Sequence, residues 1–203
     1  MFPASKFLKD NRTMPGKDGL QQLRERWVVL LAQEGNREAF SQLVDLYDRR
    51  LLYFIRRILG ETDEVLDVLQ SVWLVVHRKL GELKSPDAFR VWLYRIAHDR
   101  AVSELRRKVK RPLPVEDLDT MRAGDNASVS EEPFENAELV HVALSALSVD
   151  HRRVLTLRFL EEMTVEEIAE VIGCNPGTVK SRLHYARISL RRRIEDLTNE
   201  SFT

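Results

Sequence analysis

Between Thr164 and Arg187 the chain reads TVEEIAEVIGCNPGTVKSRLHYAR, and this stretch leaves little freedom of fold. Thr164 and Glu167 form a T-x-x-E capping box, which starts a helix at Val165. Val165, Ile168, Ala169 and Ile172 fall at i, i+3, i+4 and i+7, so one face of that helix must be buried. Gly173 supplies a left-handed residue to end it. Asn175 can cap a second helix, and Pro176 suits that helix's first position, where no N–H is needed. Two amphipathic helices joined by a short Gly-containing turn make a helix-turn-helix. Projected at 100° per residue, Val179, Leu183, Ala186 and Leu190 turn inward. Ser181, His184, Tyr185 and Ile188 turn outward, flanked by Lys180, Arg187 and Arg191. No acid occurs between Thr178 and Arg193. The helix dipole favours cations at a C-terminus, so it accounts for Arg191, Arg192 and Arg193. It does not account for Lys180 and Arg182 near the N-terminus. A cationic, hydrogen-bonding and aromatic face of this kind suits phosphates and base edges in a major groove.

The rest of the chain is helical by the same test. Gly (8) and Pro (7) are scarce among 203 residues, and 43% of the chain is hydrophobic, which favours packed helices over sheets. One helix is expected over about 21–34, before Gly35. A second runs over about 37–59 with Phe40, Leu43, Val44, Tyr47, Leu51, Phe54, Ile55 and Ile58 on one face. A third starts near Asp63 with Val65, Leu66, Leu69, Val72, Trp73, Val76 and Leu80 as its stripe. Ser85-Pro86-Asp87 reads as the cap and first turn of a fourth, which carries Phe89, Trp92, Leu93, Ile96 and Leu105. The predicted fold class is all-α, in two small helical domains. Residues 1–18 read as a disordered leader, 20–111 as the first domain, 112–135 as a linker and 136–197 as the second domain. The linker, PVEDLDTMRAGDNASVSEEPFE for most of its length, is acidic and almost without apolar periodicity.

Several function classes are disfavoured. The lone Cys174, expected half-buried in a turn, excludes an intramolecular disulfide framework and a Cys-rich zinc site. The five histidines show no metal spacing, and there is no phosphate-binding Gly loop or nucleophile motif, so neither cofactor nor enzymatic activity is expected. The N-terminal stretch lacks the apolar run of a signal peptide. No apolar stretch approaches the ~20 residues that span a membrane, so no membrane insertion and a cytoplasmic location are expected. The formal net charge is zero, so global charge names no partner and only its distribution informs.

A second nucleic-acid signal lies in DAFRVWLYRIAHDRAVSELRRKVKR, where aromatics and cations interleave. Trp92 and Tyr94 are two apart, so one ring is expected in the core and the other free to stack on an unstacked base. Arg100, Arg106, Arg107, Lys108, Lys110 and Arg111 suit a phosphate backbone. On the third helix Asp67 and Gln70 flank the apolar stripe and are either a solvated face or a partner contact.

LYDRRLLYFIRRIL, DEVLDVLQSVWLVVHRKL, SPDAFRVWLYRIAHDRAVSELRR and LSVDHRRVLTLRFLEEMTVEEIAEVIGCNPGTVKSRLHYAR, in this order, resemble the extracytoplasmic-function (ECF) sigma factors of the sigma-70 family. The resemblance covers about 37–111, similar to region 2, and 137–195, similar to region 4. It implies a bacterial initiation factor that binds core RNA polymerase and promoter DNA, and that an anti-sigma protein holds inactive. Asp67 and Gln70 match the segment that grips the clamp coiled coil of the largest polymerase subunit. Trp92 to Ala97, with Tyr94 and Arg95 inside it, matches the segment that helps open the −10 element, and Arg106 and Arg107 follow it. The loop at about Lys84 to Ala88, including Ser85, matches the place where a flipped base is captured. Lys180, Ser181, His184 and Tyr185 match positions that read the −35 element, with Thr178 and Arg187 beside them. Three positions depart: Asp99 stands where Asn is usual and Ser103 where Asp is frequent. Tyr185 stands where Arg is frequent, at the loss of a guanine contact worth roughly 1–3 kcal/mol.

The linker fits that work. About two dozen residues at ~3.3 Å span up to roughly 80 Å, against about 70 Å between DNA elements two helical turns apart. Its acidity also suits a strap lying along a basic channel, or merely keeps it solvated. The alternative is a stand-alone helix-turn-helix regulator that does not bind core polymerase. Such a regulator usually carries an α/β sensing domain, and the first block shows no strands.

Overall fold

The computed structural model describes residues 17–110 and 134–200, in eight α-helices with no strand among them. The first four are α1 (Lys17–Gln33), α2 (Arg37–Leu59), α3 (Glu64–Lys79) and α4 (Phe89–Lys110). The second four are α5 (Phe134–Ser145), α6 (Val149–Leu155), α7 (Val165–Ile172) and α8 (Pro176–Glu200). The leader at 1–16 and the linker at 111–133 lie outside the described residues. Lys17 and Asp18 belong to α1 rather than to a leader, and Phe134 and Glu135 to α5 rather than to a linker.

Helix α2 is the axis of the first half, with α1, α3 and α4 packed around it. Asn36 caps it, accepting the Ala39 N–H at 3.0 Å. Its expected face is buried: Leu43, Tyr47, Leu51, Phe54, Ile55 and Ile58 are closed to solvent. Each such side chain contributes about 1.5–3 kcal/mol of burial. Tyr47 donates to Glu25 of α1, and its ring meets Phe89 of α4 edge-on at 5.6 Å. Trp73 of α3 donates its Nε1–H to Asp48 at 2.9 Å. Gln33 donates to the carbonyls of Leu80 and Leu83, at 3.1 and 2.7 Å, and so fixes the turn after α3 to the end of α1.

Two expectations of this half are corrected. Ser85 does not cap α4 with its side chain; it is extended and precedes a 3₁₀ turn, Pro86–Ala88, from which α4 continues. Leu66 is not in the core of α3 but 62% exposed, and Val68 takes the buried place. At 100° per residue Leu66 shares a face with Gln70 and Leu74, so its phase was readable.

In the second half Ser148 caps α6, which passes through a π-helical turn, Thr156–Leu160. π-turns are frequent at functional sites. Met163 is buried below the next loop, where Arg158 donates to its carbonyl at 2.8 Å. The capping box of α7 is complete. The Glu167 N–H donates to Thr164 Oγ1 at 3.2 Å, and the Thr164 N–H donates to the Glu167 carboxylate at 2.8 Å. Gly173 is left-handed, at φ 72° and ψ 44°. Asn175 Oδ1 accepts the Gly177 N–H at 2.8 Å and opens α8. The halves touch directly: α4 packs on α7 and α2 on α6.

Candidate functional site

Three outward faces carry the residues singled out by sequence. On α8, Val179 and Ala186 are fully buried, Leu183 nearly so, and Leu190 packs against the same core. The opposite side is open: Thr178, Lys180, Ser181, His184, Tyr185 and Arg187 are all exposed. Tyr185 stands edge-on to His184 at 5.3 Å between ring centres, so the two rings form one raised feature. Lys180 and Arg187 have no ion-pair partner among the described residues, so both charges are available. Arg182 is different. It pairs with Asp150 of α6 at 2.9 Å and serves docking of the helix rather than an outside anion.

On α3, Asp67 and Gln70 are exposed between Leu66 and Leu74, which are 62% and 57% exposed. Two polar residues are thus framed by two bare leucines on one helix face. The sequence reading placed Leu66 inside and missed this frame.

On α4 the outcome is mixed. Lys84, Arg95, Arg106 and Arg107 are exposed and Ser85 is half-buried. Arg107 is engaged by Glu104 at 2.8 Å, and Lys108 by Glu64 of α3 at 2.9 Å. That ion pair, led by the Lys108 hydrogen bond, holds the Glu64 carboxyl down at about 2. Arg95, Arg100 and Arg106 have no ion-pair partner among the described residues. The expected free ring is not found. Tyr94 is fully buried against Phe54 at 5.3 Å, and Trp92 is half-buried, tilted on Phe89 at 6.2 Å. Burial pushes the Tyr94 hydroxyl well above the ordinary phenol range. What covers Tyr94 includes the second half of the chain, because its hydroxyl lies against Glu161 without a well-aligned hydrogen bond. Asp99 is exposed and accepts from His98 Nδ1 at 3.2 Å, so its charge is partly occupied within the chain. Ser103 is exposed.

Val140 and Leu144 of α5, Leu155, Phe159 and Leu160 of α6 and its π-turn, and Leu190 of α8 line an apolar groove. Sequence reasoning missed it because side chains of three helices make it together, and no single helical phase shows it.

One helical domain carries a helix-turn-helix with an open cationic face and the other a basic helix, the features of a DNA-binding protein. Residues 43–111 match sigma-70 region 2 and residues 137–190 match sigma-70 region 4. The RNA polymerase sigma-H factor of Pseudomonas aeruginosa is 34% identical over 90% of this chain and all of that protein. The ECF RNA polymerase sigma-E factor of Escherichia coli K12 is 31% identical over 87% of this chain and 97% of that one. The chain belongs to the sigma-70 family, in its extracytoplasmic-function group. Among solved structures, CnrH in complex with the cytosolic domain of CnrY matches at a TM-score of 0.61 and 25% identity. That match covers 85% of this chain and 97% of the other. RpoE of Bartonella quintana, solved with the anti-sigma factor NepR, shares the fold at a TM-score of 0.57. The stand-alone regulator is not favoured. No helix among the described residues is long and apolar enough to cross a membrane.

Proposed function

We propose that this chain is an RNA polymerase sigma factor that binds core enzyme and directs it to promoters by reading −10 and −35 elements. It works in the cytoplasm and by binding alone; the polymerase supplies the chemistry. The observation that carries the reading is the division of α8, whose one face packs into the core while Lys180, Ser181, His184, Tyr185 and Arg187 stand open on the other. A helix so docked presents its N-terminal half to a major groove.

In this reading Asp67 and Gln70, framed by Leu66 and Leu74, bind the clamp coiled coil of the largest subunit. Lys84 and Ser85 border the pocket for a flipped base. Trp92, Arg95 and the cations at Arg106 and Arg107 hold the opened −10 strand, with Asp99 modulating the charge there. Tyr94 joins them only when the second domain moves off it. Thr178 supports the α8 contacts from the helix start. An anti-sigma protein is a further expected partner, by likeness to RpoE of Bartonella quintana, which was solved with one, and the apolar groove between α5, α6 and α8 is suited to a partner helix.

The test is reconstituted transcription from a selected promoter. Purified protein plus core polymerase should initiate, and neither should do so alone. Lys180→Ala and His184→Ala should weaken promoter use with core binding intact, and Asp67→Ala should weaken core binding first. Absence of any complex with core enzyme would sink the reading.

A further inference from the structure

Charged pairs cross between the two domains, beside apolar contacts that join their cores. Arg50 of α2 reaches over to Glu161, which follows the π-turn of the second domain. Its Nη2 stands 2.6 Å from Glu161 Oε2, and its Nε donates to Oε1 at 3.4 Å. Arg90 of α4 donates to the Glu161 carbonyl at 3.1 Å and to the Glu167 carboxylate at 3.4 Å. The Glu161 side chain is 3% exposed and that of Arg50 is 43% exposed. A carboxylate buried so far is costly unless paired. Here the pairing charge, Arg50, comes from the other domain, and Arg90 of that domain holds the same residue by its backbone carbonyl. Glu161 is therefore placed well only while the domains touch. Interfaces between domains of one chain that are polar in this way resemble transient ones.

This contact has a cost for reading DNA. Helix α4 packs on α7, and α7 packs on α8. Packed helices lie about 8–10 Å apart, so α4 and α8 are within roughly 20 Å of each other. Two promoter elements two turns apart are about 70 Å apart. The described arrangement cannot engage both, and it covers Tyr94 in the segment assigned to the −10 element. We propose that Arg50, Arg90 and Glu161 form an intramolecular latch that holds the free chain closed and must break before the factor can span a promoter. The role assigned to opening rests on the sigma-factor reading; the latch itself does not.

The experiment uses the full chain. Small-angle scattering gives the radius of gyration, and single-round transcription with limiting factor gives the activity. Glu161→Gln keeps shape and removes charge. Arg50→Gln changes a side chain that already meets water; it also lies over the Tyr47 ring, so circular dichroism checks that the first domain stays folded. Each should shift the closed-to-open balance at least about tenfold, after discounting for the solvent contact of Arg50. The radius should rise in both variants, and transcription should rise with it. The exchanged pair, Arg50→Glu with Glu161→Arg, should return the radius towards that of the parent. A radius unmoved in both single variants, with circular dichroism unchanged, overturns the latch. A larger radius without more transcription overturns its inhibitory role. If the parent chain also fails to support transcription, the sigma-factor reading has failed, and the radius still decides whether the latch exists.

Discussion

Val179 and Lys180 are adjacent in sequence and opposite in role, so substituting each with Ala separates docking from reading. Val179 has no exposed surface. Val→Ala removes two carbons worth about 0.8 kcal/mol each, and the cavity left behind brings the loss to about 2 kcal/mol. Ala is the better helix former by roughly 0.5 kcal/mol, which leaves a net cost of about 1.5 kcal/mol. With a urea slope of about 2 kcal/mol/M, the midpoint for the second domain should fall by roughly 0.7 M. Lys180→Ala touches no core atom and should leave that midpoint in place. Its effect belongs to DNA. Losing one phosphate contact should reduce the slope of log K against log salt by about 0.9. The assay is anisotropy of a labelled promoter duplex with holoenzyme across a KCl series, beside urea denaturation followed by circular dichroism. If Lys180→Ala lowers the midpoint as far as Val179→Ala does, or leaves the salt slope unchanged, the assigned orientation of α8 is wrong.

Three other perturbations follow from the same structure. Thr164→Ala removes the Oγ1 acceptor of the capping box and should destabilise the second domain by about 1 kcal/mol, read as a urea midpoint shift. Gly173→Ala meets no atom within 4 Å, so its cost of about 1–2 kcal/mol should come from the left-handed backbone alone, and Gly173→Asn should cost less. Leu66→Ser should cost only a few tenths of a kcal/mol of stability, from its lower helix propensity, and weaken core polymerase binding by roughly tenfold or more, measured by competition with the parent chain.

The turn chemistry was legible because it is local. Thr164, Glu167, Gly173 and Asn175 act on backbone groups a few residues away, and the structure has each in its expected bond or conformation. The inward face of α8 was legible for a related reason, since Val179, Leu183 and Ala186 have a single helical phase. Helix α4 was not. Its Trp92 and Tyr94 point to different sides, and periodicity cannot tell that the second side is also covered, by residues about 70 positions further on. Leu66 shows the opposite error. Its neighbour Val65 is buried, and a run of apolar residues hid the fact that only one of the two can face inward. Contacts such as Arg50–Glu161 have no local signal, because Arg on α2 looks like any solvated charge until the other domain is beside it.

His98 offers an independent measure of how the domains hold together. Arg153 of α6 donates from Nη1 to His98 Nε2 at 3.0 Å, so Nε2 must be the unprotonated nitrogen. The proton then sits on Nδ1, which faces Asp99 at 3.2 Å. Burial pushes the imidazole below its ordinary value; Asp99 and Asp150 pull it up, but Arg153 adds to the lowering. A second proton would have to enter at Nε2, against a guanidinium, and would break the contact between α4 and α6. The folded chain therefore binds this proton less readily than the unfolded one does. Stability is full above the ordinary histidine value near 6.5 and falls as pH drops through that value to the lower folded one. Glu167 adds a step further down. Burial raises its carboxyl, but the Thr164 bonds and Arg90 outweigh burial and hold it low, so its contribution is present at neutral pH and lost in acid. Urea midpoints should thus decline from pH 7.5 to 5.5 in the parent chain, and His98→Gln, which keeps an acceptor for Arg153 without a titrating ring, should flatten that decline. A midpoint that is level or rising over this range would mean that His98 is not held neutral between the domains.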